Sequence, residues 1–389
     1  MYSYTPPSSA SLFTSEDDSS APSYTTKPLD NEVTLEGSSH GRLSTGEFER
    51  ASGPLAIRLH GQIDGVSRPT IYHKQRISGA VLIQPEECSG TTKVSLKFEG
   101  TLTLEIDNGV HQTIHLLDDS HVLWQAQDNP TSPPTHIPFD IELTPDFADK
   151  EGQRRPLPPT CHFSLPAPSS LRARVSYMMT LTIDRRRKHG ILPRSKSLSI
   201  PFDYIRRSKP HLPMRIGPPS DTALCFSQTS QIAFKTTSTQ PLQAKLCIPV
   251  AKVYWIGHSI PFYFTLSGPS TALRSLFPEH GAARVSVSLV RQLVAQVRKV
   301  TRRGERVLGE GKVRRISDRI EDTVLRWEGE VRVPQPETVP GFDAGALLVK
   351  DFIVAEITPP TANPAPFDMP PQRIPIFIRL TTDKHEDDP

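Results

Sequence analysis

The residues best equipped for chemistry in this chain are its histidines, its cysteines, a few carboxylates and two dense runs of arginine and lysine. His111 and His115 stand four apart, but in an alternating stretch both face one side of a strand. No cysteine or third histidine follows at the spacing of a zinc site. Cys88, Cys161, Cys225 and Cys247 are far apart, with no Cys-x-x-Cys pair. That usage fits a reducing compartment and gives neither a disulfide framework nor a metal centre. No Gly-x-Ser-x-Gly, His-Glu-x-x-His, P-loop or Gly-x-Gly-x-x-Gly occurs. Asp140, Glu142 and Asp203 alternate with apolar neighbours and read as outer faces of strands. The expectation is a non-enzymatic protein with no catalytic residue, metal or cofactor.

The basic runs carry more information. Between 185 and 209, Arg185, Arg186, Arg187, Lys188, Arg194, Lys196, Arg206, Arg207 and Lys209 face one acid, Asp203. Between 284 and 319, Arg284, Arg291, Arg298, Lys299, Arg302, Arg303, Arg306, Lys312, Arg314, Arg315 and Arg319 face Glu305, Glu310 and Asp318. Each run holds an excess of eight positive charges on a chain whose net charge is +3. Arginine forks bind phosphate and carboxylate oxygens bidentately, and basic residues near an anionic membrane gain about 1 kcal/mol each. Arg185, Arg186, Arg187, Lys188, Arg206, Arg207, Arg298, Lys299, Arg302 and Arg303 are therefore the candidates for binding a phosphate, another anion or a membrane surface. The alternative is a solvated rim of turns. Nucleic acid is not the expected partner, because no aromatic pattern interleaves the charges. Ser317, with Arg314 at the −3 position, is a candidate phosphorylation site whose charge would weaken the second run.

These residues sit on strands. The chain is long enough for two domains with cores of their own, and its 39 prolines in 389 residues disfavour long helices. Residues 1–52 are rich in Ser, Thr, Pro and acids and are expected to be a disordered tail. The opening lacks the basic and apolar regions of a signal peptide, and no apolar run reaches a membrane-spanning length. From Pro54, alternating runs recur about every ten residues: 55–59, 77–83, 92–100, 101–106, 111–117, 121–124 and 138–143. That spacing predicts a β-sandwich over 53–209. A proline-stiffened linker follows at 210–222, then a second strand series over 223–382 and an acidic tail at 383–389. Arg284–Val297 reads as a strand from its Val/Ser alternation, with a helix as the alternative because Val285, Leu289, Leu293 and Val297 sit four apart, while Gly304 and Gly309-Glu310-Gly311 read as chain breaks.

Several segments, in this order, resemble the arrestin-like family. They are KVSLKFEGTLTLEI (93–106), PFDIELTPD (138–146), LPPTCHF (157–163), RVSYMMTLTIDR (174–185), KVYWIGHSIPFYFTLSGP (252–269), RVSVSLVRQL (284–293) and the pair LLVKDFIVAEI and IPIFIRL. The resemblance covers roughly 54–382 and is nearest to the divergent fungal and α-arrestin group. It implies an all-β chain of two tandem immunoglobulin-like β-sandwich domains, the arrestin fold. By the same resemblance the chain is a cytoplasmic adaptor recruited to the plasma membrane or endosomes. Its partners would be cytosolic tails of membrane transporters or receptors, with a ubiquitin ligase or coat proteins, and anionic lipid head groups. Two departures stand out. Gly257-His258 replaces the family's Gly-Glu, and no Pro-Pro-x-Tyr ligase-recruiting motif occurs; Ala21-Pro22-Ser23-Tyr24 comes nearest, keeping Pro22 and Tyr24. Two other readings stay open. One is a retromer-type structural subunit of a coat or sorting complex. The other is a β-sandwich enzyme, which would need two carboxylates about 5–9 Å apart on one face.

Overall fold

Alternation of buried and outward side chains governs almost every element of this chain. The computed structural model describes residues 31–36, 45–107, 109–126, 132–167, 170–185, 194–215, 221, 223–232, 241–277, 283–316, 323–335, 338–358 and 372–387. The first half opens with β1 (Glu32–Leu35), β2 (Gly46–Ser52), β3 (Leu55–Gln62), β4 (Thr70–Tyr72) and β5 (Arg76–Ile83), then a single helical turn, α1 (Pro85–Cys88). Two sixteen-residue strands, β6 (Thr91–Ile106) and β7 (Val110–Gln125), form a long hairpin. β8 (His136–Glu142), β9 (Asp146–Ala148), β10 (Arg154–Pro156), β11 (Cys161–Leu165), β12 (Leu171–Arg185), β13 (Arg194–Ile205) and β14 (Arg207–Pro210) complete it.

A four-stranded sheet, β2-β3-β5-β8, faces a six-stranded sheet, β4-β13-β12-β6-β7, in which β11 shares one edge of β12 with β13. Ile57 and Val81 from the first sheet meet Leu96, Phe98 and Leu181 from the second in one apolar core. At Gly100 an added Cβ would stand 2.5 Å from the Tyr177 ring. The bare backbone lets that ring lie on β6, and its hydroxyl donates to the Pro158 carbonyl at 2.7 Å. Three segments distant in sequence are joined there.

The second half holds β15 (Cys225–Ile232), β16 (Leu242–Pro249), β17 (Val253–Trp255), β18 (Ser259–Ser267), the short helix α2 (Ser270–Leu276), β19 (Arg284–Val297), β20 (Val300–Arg315), β21 (Val324–Arg332), β22 (Leu347–Thr358) and β23 (Gln372–Thr381). Its nine strands run β15-β16-β18-β21-β20-β19-β22-β23-β17. The sheet closes over its own core because β20 changes partner: Val300–Glu310 pairs with β19, and Gly311–Arg315 pairs with β21. At the crossover a Cβ on Gly311 would sit 2.6 Å from the Val287 carbonyl oxygen, so only glycine lets the backbones approach there.

The chain is all-β in two β-sandwich halves, as the strand spacing predicts, and Arg284–Val297 is a strand. Three expectations need correction. The segment expected to be disordered through residue 52 contains β1 and β2, because Val33 and Leu35 have β14 to pair with and Phe48 of β2 enters the first core. The runs 92–100 and 101–106 are one strand, as are 111–117 and 121–124; β-bulges, not turns, absorb the changes of pattern. Gly304, Gly309 and Gly311 lie inside β20 and break nothing, the last two serving close packing. The halves also share material: Leu293, Ala295 and Val297 of β19, with Phe342, Ala344, Leu347 and Val349, belong to the core of the first sandwich.

A candidate docking crest and the seam behind it

The first basic run meets acids that lie far away in sequence. Arg185 reaches Glu87 at 3.0 Å and donates to the Ser89 carbonyl, and Lys196 binds the same Glu87 at 2.8 Å. Arg207 lies over the Tyr72 ring and is held by Asp383, its Nε donating at 3.1 Å, while Lys209 pairs with Glu386 at 2.6 Å. Arg206 is half-buried and has contacts of its own. Arg186, Arg187 and Lys188 lie outside the described residues, as do Ser317, Pro22 and Tyr24. Among the described residues, Arg185, Lys196, Arg207 and Lys209 of this run are thus each paired with an acid.

The second run divides into three places. Arg314 pairs with Glu328 and Lys312 with Glu330 on the outer face of β20 and β21. Arg291 is buried. Arg298 and Lys299 form the two-residue turn between β19 and β20, with Arg298 in the left-handed region at φ 58°. This hairpin reaches across to the first sandwich. Its Val297 enters that sandwich's core, the Arg298 N–H donates to Gln112 Oε1 at 2.8 Å, and Arg302 Nε donates to Asp107 at 2.9 Å. The Arg302 hydrogen bond holds the Asp107 carboxyl below its usual range. Arg303 is likewise engaged.

Two hairpin turns therefore stand side by side, β6–β7 from the first sandwich and β19–β20 from the second. Together they expose Val110 and Val300 beside Arg298 and Lys299, while Arg302 fastens the turns to each other. Of the ten candidate anion-binding residues, the structure brings Arg298, Lys299, Arg302 and Arg303 together. It places Arg185, Arg206 and Arg207 elsewhere. An exposed valine pair flanked by cations suits a surface that is anionic above and apolar below.

Behind this crest the seam is ionic. Arg291 and Asp351, both almost wholly buried, meet fork to fork at 2.8 and 2.9 Å. Arg291 also donates to the Val339 carbonyl at 2.6 Å, and its guanidinium lies over the Phe163 ring from the other half. Arg155 of β10 bridges Asp149 and Asp343, each at 2.6 Å, and its hydrogen bond draws the Asp149 carboxyl below its usual range. Arg379 of β23 holds Glu32 of β1 at 2.9 Å. Arg155–Asp343 and Arg379–Glu32 cross between the halves, while Arg291–Asp351 links two neighbouring strands of the second and meets the first through Phe163. Sequence reading missed them because each acid is 60 to 347 residues from its arginine, apart from Asp149.

The other candidate chemistry has no support. His111 and His115 are exposed on β7, and among the described residues no group of three or more His, Cys, Asp or Glu could hold a metal. Burial pushes the Cys161 thiol up to about 12, so it is not a nucleophile near neutral pH. Among the described residues, no helix is long and apolar enough to cross a membrane. No family model matches the chain, and no curated protein matches its sequence.

Proposed function

We propose that this protein is a non-enzymatic adaptor of the arrestin-like kind, which docks by its crest on the cytosolic face of a membrane. There it engages the cytosolic tails of transporters or receptors and links them to trafficking machinery. The observation that carries the reading is the crest itself, with Arg298, Lys299, Val110 and Val300 all exposed on its two turns. The residues of the crest that are tied down, Arg302 and Asp107, hold its shape and leave the turn cations to face outward. The missing Pro-Pro-x-Tyr gives direct ligase recruitment no support, so the adaptor role rests on cargo binding.

Co-sedimentation with vesicles containing about 30% phosphatidylserine tests the docking step. At about 1 kcal/mol per cation near such a surface, Arg298→Ser with Lys299→Ser should weaken binding about 30-fold. Both side chains are exposed, so the fold should hold. Equal binding of the wild type to neutral phosphatidylcholine vesicles, or no loss in the double variant, would refute it. Pull-downs with phosphorylated and unphosphorylated transporter tails then test the adaptor role, and a chain that captures neither is not a cargo adaptor.

A further inference from the structure

The crest carries a hydroxyl placed for modification, and the role of that modification rests on the docking reading above. Thr301, the second residue of β20, follows the β19–β20 turn and is exposed. It stands in the run Arg298-Lys299-Val300-Thr301-Arg302-Arg303. Cations therefore occupy the third and second places before the hydroxyl and both places after it. Basic-directed protein kinases choose their acceptor by such a pattern, which carboxylates in the kinase cleft bind.

A kinase takes its substrate extended, so this segment must leave the hairpin. From Arg298 to Arg303 no side chain is buried. The cross-strand pairs given up are those of Val300–Arg303 with Val294–Val297, at the very end of the hairpin. The Arg302–Asp107 contact given up with them is partly exposed and screened by water and salt. Opening also relieves the left-handed backbone of Arg298, φ 58°. Ser197 makes the contrast. It has Arg194 three places before it, but it lies inside β13, paired to Thr182 and followed by the buried Leu198. It reaches a kinase only if the sheet itself opens.

We propose that Thr301 is phosphorylated by a basic-directed kinase and that its phosphate releases the crest from an anionic membrane. The Thr301 Oγ attacks the γ-phosphorus of ATP. The new O–P bond forms as the bond from that phosphorus to the β,γ-bridging oxygen breaks, ADP leaves, and the hydroxyl proton passes to the catalytic aspartate of the kinase. The phosphate brings about two negative charges at pH 7 to a turn whose own cations are Arg298 and Lys299. The sum is close to zero, so the pull on an anionic surface is lost. The coupling runs both ways. A docked crest covers Thr301, so anionic vesicles should slow its phosphorylation.

The full chain is incubated with ATP and the catalytic subunit of cyclic-AMP-dependent kinase. Peptide mass spectrometry then locates the phosphate and separates Thr301 from Ser317, which has Arg314 at the same spacing. Thr301 should be labelled close to stoichiometrically, and binding to the phosphatidylserine vesicles should fall about 30-fold, as for loss of both turn cations. Thr301→Val keeps the β-branched shape, so its melting temperature and vesicle binding should match wild type, and kinase treatment should leave its binding unchanged. An unlabelled Thr301, or a labelled Thr301 with vesicle binding intact, would overturn the proposal. So would a Thr301→Val chain that loses binding on kinase treatment as the wild type does. Absence of vesicle binding before any treatment would sink the docking reading and this switch together, whereas missing Thr301 label on a chain that binds sinks the switch alone.

Discussion

Removing one partner of the Arg291–Asp351 pair should be among the most damaging single changes available to this protein. Asp351→Asn keeps the volume but leaves the guanidinium of Arg291, almost wholly buried, without its counter-charge. Breaking a buried pair in this way costs about 3–5 kcal/mol. Replacing both partners by apolar residues removes the charge problem, and such swaps run from neutral to stabilising by about 1–4 kcal/mol. Here Arg291→Met with Asp351→Leu also strips the Val339 carbonyl of its donor, which costs about 1–3 kcal/mol. The double variant should therefore fall close to wild type and well above Asp351→Asn. Urea denaturation followed by Trp fluorescence and far-UV circular dichroism measures this. Because the pair sits on the seam with Phe163 of the other half, Asp351→Asn should also separate one transition into two. A loss below about 1 kcal/mol in the single variant, or a double variant as unstable as the single, would refute the assignment of this pair as the charge-compensated floor of the seam.

His73 is buried 2.8 Å from the Tyr204 hydroxyl, and burial, aided by the charge of Arg206, pushes its imidazole down to about 4. The unfolded chain then binds the extra proton between pH 6.5 and about 4, so stability is full above pH 6.5 and falls as pH drops through that window. About 3 kcal/mol should be lost, at about 1.36 kcal/mol per pKa unit, and His73→Gln should flatten the profile of melting temperature against pH. Tyr177→Phe removes the donor to the Pro158 carbonyl and should cost about 1–2 kcal/mol in the same denaturation assay. Gly311→Ala places a methyl 2.6 Å from the Val287 carbonyl and should cost about 1–3 kcal/mol or more, whereas at Gly53, with nothing nearby, the only cost of alanine is its left-handed backbone.

Strands were legible in this sequence because burial on one face writes a period of two into the residues. Val94, Leu96, Phe98, Leu102, Leu104 and Ile106 mark the inner face of β6 directly. Glycines misled because their meaning depends on what passes close by, and Gly311 reads as a break until Val287 is seen against it. Charge misled for the same reason. A count along the chain treats Arg291 as one of a basic run, although it is flanked by Leu289, Val290 and Leu293 and neutralised by Asp351. The usable sign was an arginine inside an apolar strand and an aspartate inside another, Val349-Lys350-Asp351-Phe352. The crest was half legible: Arg298, Lys299, Arg302 and Arg303 stand out as cations, but only the fold shows that Arg302 is a fastener while the turn pair faces solvent.

The sharing of one core between the halves bears on how this chain must be made. Leu293, Ala295 and Val297, with Phe342, Ala344, Leu347 and Val349, finish a core whose remaining strands end by Pro210. At roughly 5–20 residues per second, a ribosome needs about 7–28 s to supply all of them after β14. Over that interval the first sandwich carries an uncovered apolar flank, and a chain cut at the linker carries it permanently. Expressed alone, residues 31–215 should aggregate unless β19 and the 342–349 segment are supplied, which makes this seam a point where chaperones would act on the nascent protein.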